Sequence, residues 1–423
     1  MTTPKMFASL GIRDFRFLWL STAMANSGQY AFTVAASWLI FSLSHSTALV
    51  GAAVFATMIP GVLFGPVIGV MVDRFDRKRL LSIALLCNAC NTGCLAILSG
   101  LGVINPFVVI TSAFFLGVFF NLQMTCTNAI MPDLIPKQSL FNATALQGSV
   151  QHGAGFLGSA LASPLLVWVG PAAVFTLCFL LYTAACVQSQ AISFRPAIRT
   201  YSAAPLSGNL FHPILEGIRY IRQTPILNLL IVMVGLHCLL TMAYTSLLPQ
   251  FIRDDLAADG GIYGTLMMLI GLGAIIGNLS TASISTPRGQ GILYLTMAVA
   301  SGLSLFALGF TYTPVLAFIV GLTVGASQAV FMAINLSFLL QRTSDEYRGR
   351  VASVNFILAS GAMAFGNFLY GSLSQMIPPK MNMLTTGGSF VILVVLMLIF
   401  SPTLRSFYQK PAQPKENQMS SVM

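Results

Sequence analysis

The chain has 423 residues, of which 56% are hydrophobic and only 8% charged, and its formal charge is +10. A soluble domain carries roughly 25% charged residues, so this composition excludes an ordinary soluble fold and requires lipid to cover the surplus apolar surface. The positive balance does not indicate nucleic acid, because the bases sit in short loops between long apolar runs.

A helix crossing a bilayer needs about 20 mostly apolar residues. The first such run, 16–42, follows Arg13, Asp14 and Arg16 and is too long for a signal-peptide core, so it is kept as a helix. Within it Thr22, Asn26, Gln29, Thr33 and Ser37 recur at helical spacing and form one polar face. Spans two to six are expected at 48–72, 80–101, 106–131, 144–168 and 172–193. Asn121, Thr125 and Asn128 share a face of the fourth, and Gln147, Gln151 and His152 lie on the fifth. Cys87, Cys90 and Cys94 fall within two turns of the third span. Like the other four cysteines, they read as small residues packed between helices, not as a metal or redox motif.

Between the sixth and seventh spans, 195–225 is the longest polar interruption. Ile214, Leu215, Ile218 and Ile221 alternate there with Glu216, Arg219 and Arg222, the pattern of an amphipathic helix on the membrane surface, acting as a strut between halves. The remaining spans are expected at 226–250, 262–285, 290–310, 314–340, 350–377 and 384–402. His237, Thr241 and Tyr244 align in the seventh, Gln328 and Asn335 in the tenth, and Asn355 opens the eleventh.

Twelve spans divide the chain into a first six-helix bundle (1–194), a linker (195–225), a second bundle (226–402) and a polar tail (403–423). With both termini cytoplasmic, every base except Arg253 and Lys380 falls on the cytoplasmic side, as the positive-inside rule requires. A weak repeat relates the halves: Gly51, Gly61, Gly65 and Gly69 are echoed by Gly264, Gly271, Gly273 and Gly277. Halves related by a repeat are the layout of many secondary transporters, with the site between them. Every acid lies at a loop or span edge, so no buried carboxylate is available as a proton relay. His152 and His237 are the candidate proton-linked groups within spans, and a proton is the candidate coupling ion. No nucleophile elbow, zinc-protease helix or phosphate loop is present, so neither an enzyme nor an ATP-driven pump is expected, and no cofactor or metal.

The most specific signal is Gly69-x-x-x-Asp73-Arg74-x-Asp76-Arg77-Lys78-Arg79 between spans two and three. Gly69 would let the second span approach a neighbour closely, and Asp73 would pair with a base or a helix amino terminus. This resembles the signature of the major facilitator superfamily, with Asp76 where that superfamily usually has glycine. The form is similar to the branch of macrolide-efflux, enterobactin-export and lysophospholipid transporters. Phe15-Arg16-Phe17-Leu18-Trp19, Ser37-Trp38-Leu39 and Arg348-Gly349-Arg350-Val351 agree with it.

The resemblance implies an all-α membrane protein of two pseudo-symmetric six-helix bundles. It implies a cytoplasmic gate served by Gly69, Asp73, Arg74 and Arg77, and a cavity lined by spans 1, 4, 7 and 10 with 2, 5, 8 and 11. Candidate cavity residues are then Asn26, Gln29, Thr33, Asn121, Thr125, Asn128, Gln147, Gln151, His237, Tyr244, Gln328, Asn335 and Asn355. The antiporter motif of the fifth span is degraded: Gly155 and Gly158 remain, with Ser159 and Ser163 where Pro and Gly are expected. The expected activity is secondary export of an amphipathic, largely neutral small molecule by a monomer in a bacterial inner membrane. Uptake or flipping of a nutrient or lysophospholipid-like molecule is the alternative.

Overall fold

The computed structural model describes residues 9–136, 140–193, 212–281 and 287–401. All regular structure among the described residues is helical. Helices α1 (Arg13–Ser44), α2 (Thr47–Arg74), α3 (Arg77–Gly100), α4 (Pro106–Leu134), α5 (Leu140–Trp168) and α6 (Pro171–Gln190) are the first six spans. The amphipathic α7 (His212–Gln223) follows, then α8 (Pro225–Leu240), the short α9 (Leu248–Gln250) and a π-helical turn, Phe251–Asp255. The last five spans are α10 (Gly260–Thr281), α11 (Pro287–Gly309), α12 (Pro314–Gln341), α13 (Arg348–Leu373) and α14 (Pro379–Phe400).

Local chemistry sets the boundaries. Ser46, Asp76, Asn105 and Thr313 each accept a backbone N–H from the first turn of the following helix. Proline stands in the first turn of α4, α6, α8, α12 and α14, where its missing N–H is no loss. Span limits agree with the sequence reading to within about five residues, with one exception. The seventh span, expected as continuous over 226–250, is broken at 241–247. Pro249 removes a donor and disfavours helix in the residues before it.

The two bundles repeat one packing scheme. In the first, α1 packs on α5, α2 on α4 and α3 on α6; in the second, α8 packs on α13, α10 on α12 and α11 on α14. Each pair in one bundle has its counterpart six spans later, which is the fold of a major facilitator transporter. The halves meet along two seams, α2 with α13 and α5 with α10.

Both seams are tight at the end opposite the basic loops. The Thr47 hydroxyl donates to the Gly371 carbonyl at 2.8 Å, and a Cβ on Gly51 would stand 2.5 Å from the Asn367 carbonyl oxygen. The Ser163 hydroxyl donates to the Gly261 carbonyl at 3.0 Å, and a Cβ on Gly271 would stand 2.6 Å from the Phe156 nitrogen. Phe55 meets Phe365 and Phe368 at 5.3 and 5.7 Å between centroids. Trp38 of α1 stacks on Tyr263 of α10 at 5.9 Å, and Arg253 donates to His45 Nδ1 at 2.9 Å. One apolar core therefore runs from the first bundle through Tyr244, Leu247, Phe251 and Tyr263 into the second. At the basic end the second bundle keeps a separate core around Leu227, Tyr294, Phe331 and Phe338. The described polar and ring contacts between the bundles thus gather at the end opposite the basic loops, from which we infer a cleft between the bundles toward the basic end.

The helix α7 is amphipathic, as its sequence requires, and it turns through 114° into α8. The strut expected between halves docks instead on the second bundle. Glu216 pairs with Arg350 at 3.1 Å, the Tyr220 ring stacks on Tyr347 at 4.4 Å, and Ile221 is buried with Leu227. The Ser344 N–H donates to the Tyr220 hydroxyl, which lowers that phenol from its ordinary range.

Candidate functional site

The basic motif is a staple at the base of the first bundle. Asp76 accepts from the N–H groups of Lys78 and Arg79 and so caps α3. That explains an acid where the superfamily favours glycine: a carboxylate at a helix amino terminus satisfies orphan donors and complements the dipole. Lys78 Nζ donates to the carbonyls of Gln190 and Ile192, closing the carboxyl end of α6. Arg77 reaches across to α4, where it donates to the Ala129 carbonyl and pairs with Asp133, both at 3.0 Å.

Asp133 was not singled out by the sequence reading. Its side chain is 18% exposed, whereas Asp73 is 70% exposed and stands 3.8 Å from Arg77. The strong partner of Arg77 in this state is thus Asp133, and Asp73 is left largely to water. Arg74 is exposed. The close approach expected at Gly69 is absent here, since a Cβ added to it would meet nothing within 4 Å.

The candidate cavity residues separate into two groups. One group packs among the helices, and several of its members bond helix to helix. Gln147 donates to Thr22 at 3.1 Å between α5 and α1, and Asn26 is 3% exposed in the first bundle. Asn121, half-buried, donates to the Gly117 carbonyl within α4 and packs against Gly61 of α2, and so keeps accessible surface as well. Asn335 accepts from the Tyr294 hydroxyl at 2.8 Å between α12 and α11. Gln328 donates to the Thr241 carbonyl at 2.7 Å, satisfying the end of α8 where the seventh span breaks. Asn355 is 7% exposed near the start of α13.

His237 is corrected in the same way. Its Nε2 shares a 2.9 Å hydrogen bond with Ser301, and its ring lies 4.2 Å from Phe331 and 5.4 Å from Phe390. It is enclosed by α11, α12 and α14 inside the second bundle and does not line the cleft. Amides and hydroxyls on spaced turns signal a polar face, but they do not say whether the face meets water or another helix. The side chains of Gln151 and His152 lie outside the described residues.

The second group keeps accessible surface. Gln29 and Thr33 on α1 are half-buried, as is Thr125 on α4, while Asn128 is exposed. Tyr244, in the break of the seventh span, is by contrast buried, 6% exposed, and lies within electrostatic range of Tyr30 and Tyr263. Tyr30, 38% exposed, was missed because a lone aromatic on α1 carries no polar signal. Asn367 was missed as well: its Oδ1 accepts from the Ser246 N–H at 3.0 Å, and its carbonyl accepts from the Ser246 hydroxyl. Together with Gln328 it holds the break of the seventh span, so that the unwound segment is anchored to two neighbouring helices.

A recess of about 380 Å³ lies elsewhere, between α3 and α4, lined by Asn91, Cys94, Phe107 and Phe115. Neither helix takes part in the seams, and the Asn91–Ser112 pair at 2.9 Å ties the two together. It is not part of the cleft. No cluster of metal-ligating side chains exists among the described residues.

A family model described as transmembrane secretion effector matches residues 4–422. The chain belongs to this family of major facilitator transporters. Its members are carriers and not enzymes, and the chain is accordingly a multi-pass membrane transporter of small molecules. The family member is 26% identical over 345 residues to the uncharacterised transporter y4rN of Sinorhizobium fredii, covering 79% of this chain and 82% of that one. It is 25% identical over 382 residues to the enterobactin exporter EntS of Escherichia coli, covering 88% of each. Among solved structures, the transporter matches the nucleoside transporter NupG with a TM-score of 0.71 at 12% identity, covering 94% of this chain and 100% of that one. A bacterial homologue of the lysosomal transporter Spinster, inward-facing and unoccupied, matches with a TM-score of 0.69 at 14% identity, covering 97% and 100%. At those identities the structures share the fold alone.

Proposed function

We propose that this transporter exports an amphipathic, largely neutral small molecule by alternating access. The observation that carries the reading is that the contacts between the bundles gather at the end opposite the basic loops. With those loops cytoplasmic, by the excess of positive residues there, the structure is the inward-facing state that loads substrate from the cell interior. The bundles (1–194 and 226–402, joined by 195–225) would then rock about the two seams and expose the cleft to the other side. Similarity to EntS over most of both chains supports export, and its bacterial source supports the inner membrane. The accessible amides, hydroxyls and tyrosines carry no formal charge, which suits a neutral substrate. The bundles close on each other within one chain, so the alternating-access cycle is proposed for a monomer.

The test is transport of a panel of neutral amphiphiles in proteoliposomes with an imposed pH gradient. Uphill movement toward the face opposite Arg77 supports the proposal. Uphill movement toward Arg77, or facilitated movement without accumulation for the whole panel, overturns it. Accessibility labelling of Arg77→Cys and Arg219→Cys fixes the sidedness, and both should react from the cytoplasm.

A further inference from the structure

Tyr30 combines exposure with a built seat. A Cβ on Gly155 would come 3.3, 3.4 and 3.6 Å from Cζ, Cε1 and Cε2 of its ring, so the hydroxyl end of the ring lies across that glycine of α5. Gly158, one turn later, abuts the Tyr30 Cβ. On the other side Tyr244, from the break in the seventh span, is within electrostatic range of both Tyr30 and Tyr263. Tyr263 stacks on Trp38, and its hydroxyl lies beside Ser37. Tyr30 thus lies between α5 of one bundle and the seventh span of the other, with 38% of its surface exposed. Tyr244 and Tyr263, at 6% and 0%, back it from the sealed end.

We propose that the Tyr30 ring, seated on Gly155 and backed by Tyr244 and Tyr263, is the binding surface for an uncharged, planar aromatic substrate bearing hydrogen-bonding groups. The inference rests on the exporter reading and narrows its substrate class. An aromatic face attracts a second ring in offset or edge-on geometry, and phenol hydroxyls both donate and accept. Among the described residues, the contacts of Tyr30, Tyr244 and Tyr263 include neither a carboxylate to neutralise a cation nor a base to neutralise an anion. A charged ligand would enter the cleft without a counter-ion, which is costly away from water. Trp38 stacks on Tyr263, which neighbours Tyr244, so an aromatic molecule bound at Tyr30 changes the surroundings of Trp38 through these rings.

That makes Trp38 the reporter. The chain has three tryptophans, and Trp19→Phe with Trp168→Phe leaves Trp38 alone. In lipid nanodiscs, 7-hydroxycoumarin (neutral, planar, hydrogen-bonding) should quench Trp38 saturably. The aliphatic neutral amphiphile decyl glucoside and the aromatic cation rhodamine 6G should bind more weakly. Tyr30→Leu, which keeps bulk and removes the ring, should weaken coumarin binding about three- to tenfold, while Tyr30→Phe should stay within about twofold. Monodisperse elution of each variant establishes folding. Absence of saturable coumarin quenching, tighter binding of either comparison compound, or an unchanged Kd in Tyr30→Leu overturns the assignment. Uphill export of some other compound class, unaffected by Tyr30→Leu, would overturn this inference and leave the exporter reading standing. Absence of uphill export with intact coumarin binding would do the reverse.

Discussion

Gly51→Ala tests whether the seam between α2 and α13 is what holds one end shut. In the sealed state the new methyl would stand 2.5 Å from the Asn367 carbonyl oxygen and 3.2 Å from the Phe368 Cα. Both are backbone atoms that no rotamer change can move aside. Ordinary contact requires α2 and α13 to separate by roughly 1 Å, and overpacking of this kind costs about 1–3 kcal/mol. When the halves part at this end the methyl meets no such obstacle, so the penalty falls on one state only. A differential of that size shifts the equilibrium toward the opened form by about 5- to 150-fold. Spin labels at Leu43 and Met376, which are 47% and 87% exposed at the sealed end of each half, report the separation by double electron–electron resonance in a cysteine-free background. Gly65→Ala is the control, because a Cβ there meets nothing within 4 Å on the same helix. Gly51→Ala should gain a long-distance population that Gly65→Ala lacks. Identical distance distributions in the two variants would refute the argument that this contact locks the end.

Asp133→Asn removes the charge that Arg77 meets in a mostly buried position and should lower stability by about 1–3 kcal/mol, whereas Asp73→Asn, at an exposed site, should change it by less than about 0.5 kcal/mol; thermal unfolding of the purified protein compares them. Asn367→Leu leaves the Ser246 N–H without its acceptor at the break in α8–α9 and should cost about 1–3 kcal/mol and slow transport, read from unfolding and from initial rates. His237→Phe removes the Ser301 hydrogen bond inside the second bundle; it should shift stability and leave the pH profile of transport unmoved, and a displaced profile would return His237 to the coupling machinery. Tyr220→Ala removes the stack on Tyr347 and should make α7 more susceptible to limited proteolysis at Arg219 and Arg222 without altering the seams.

The sequence by itself determined the class, the span count and the basic face. Those depend on totals and periods: twenty apolar residues cross a bilayer wherever they pack, and loop bases sort by sidedness regardless of contacts. The position of the motif between spans two and three was legible as well, but its partners were not: the cap falls to Asp76 and the close ion pair of Arg77 to Asp133. Tertiary structure alone decided what each intramembrane polar group does. Gln147, Asn335 and His237 resemble Gln29 and Thr33 along the chain, yet the first three are enclosed by neighbouring helices and the latter two are not. A hydrogen-bonding side chain is satisfied equally by water in a cleft or by an adjacent helix, and spacing along one helix does not distinguish the two. The break at 241–247 shows the same division: Pro249 marks it in the sequence, but Gln328 and Asn367, contributed by distant helices, supply the partners that make an unwound segment tolerable within a membrane.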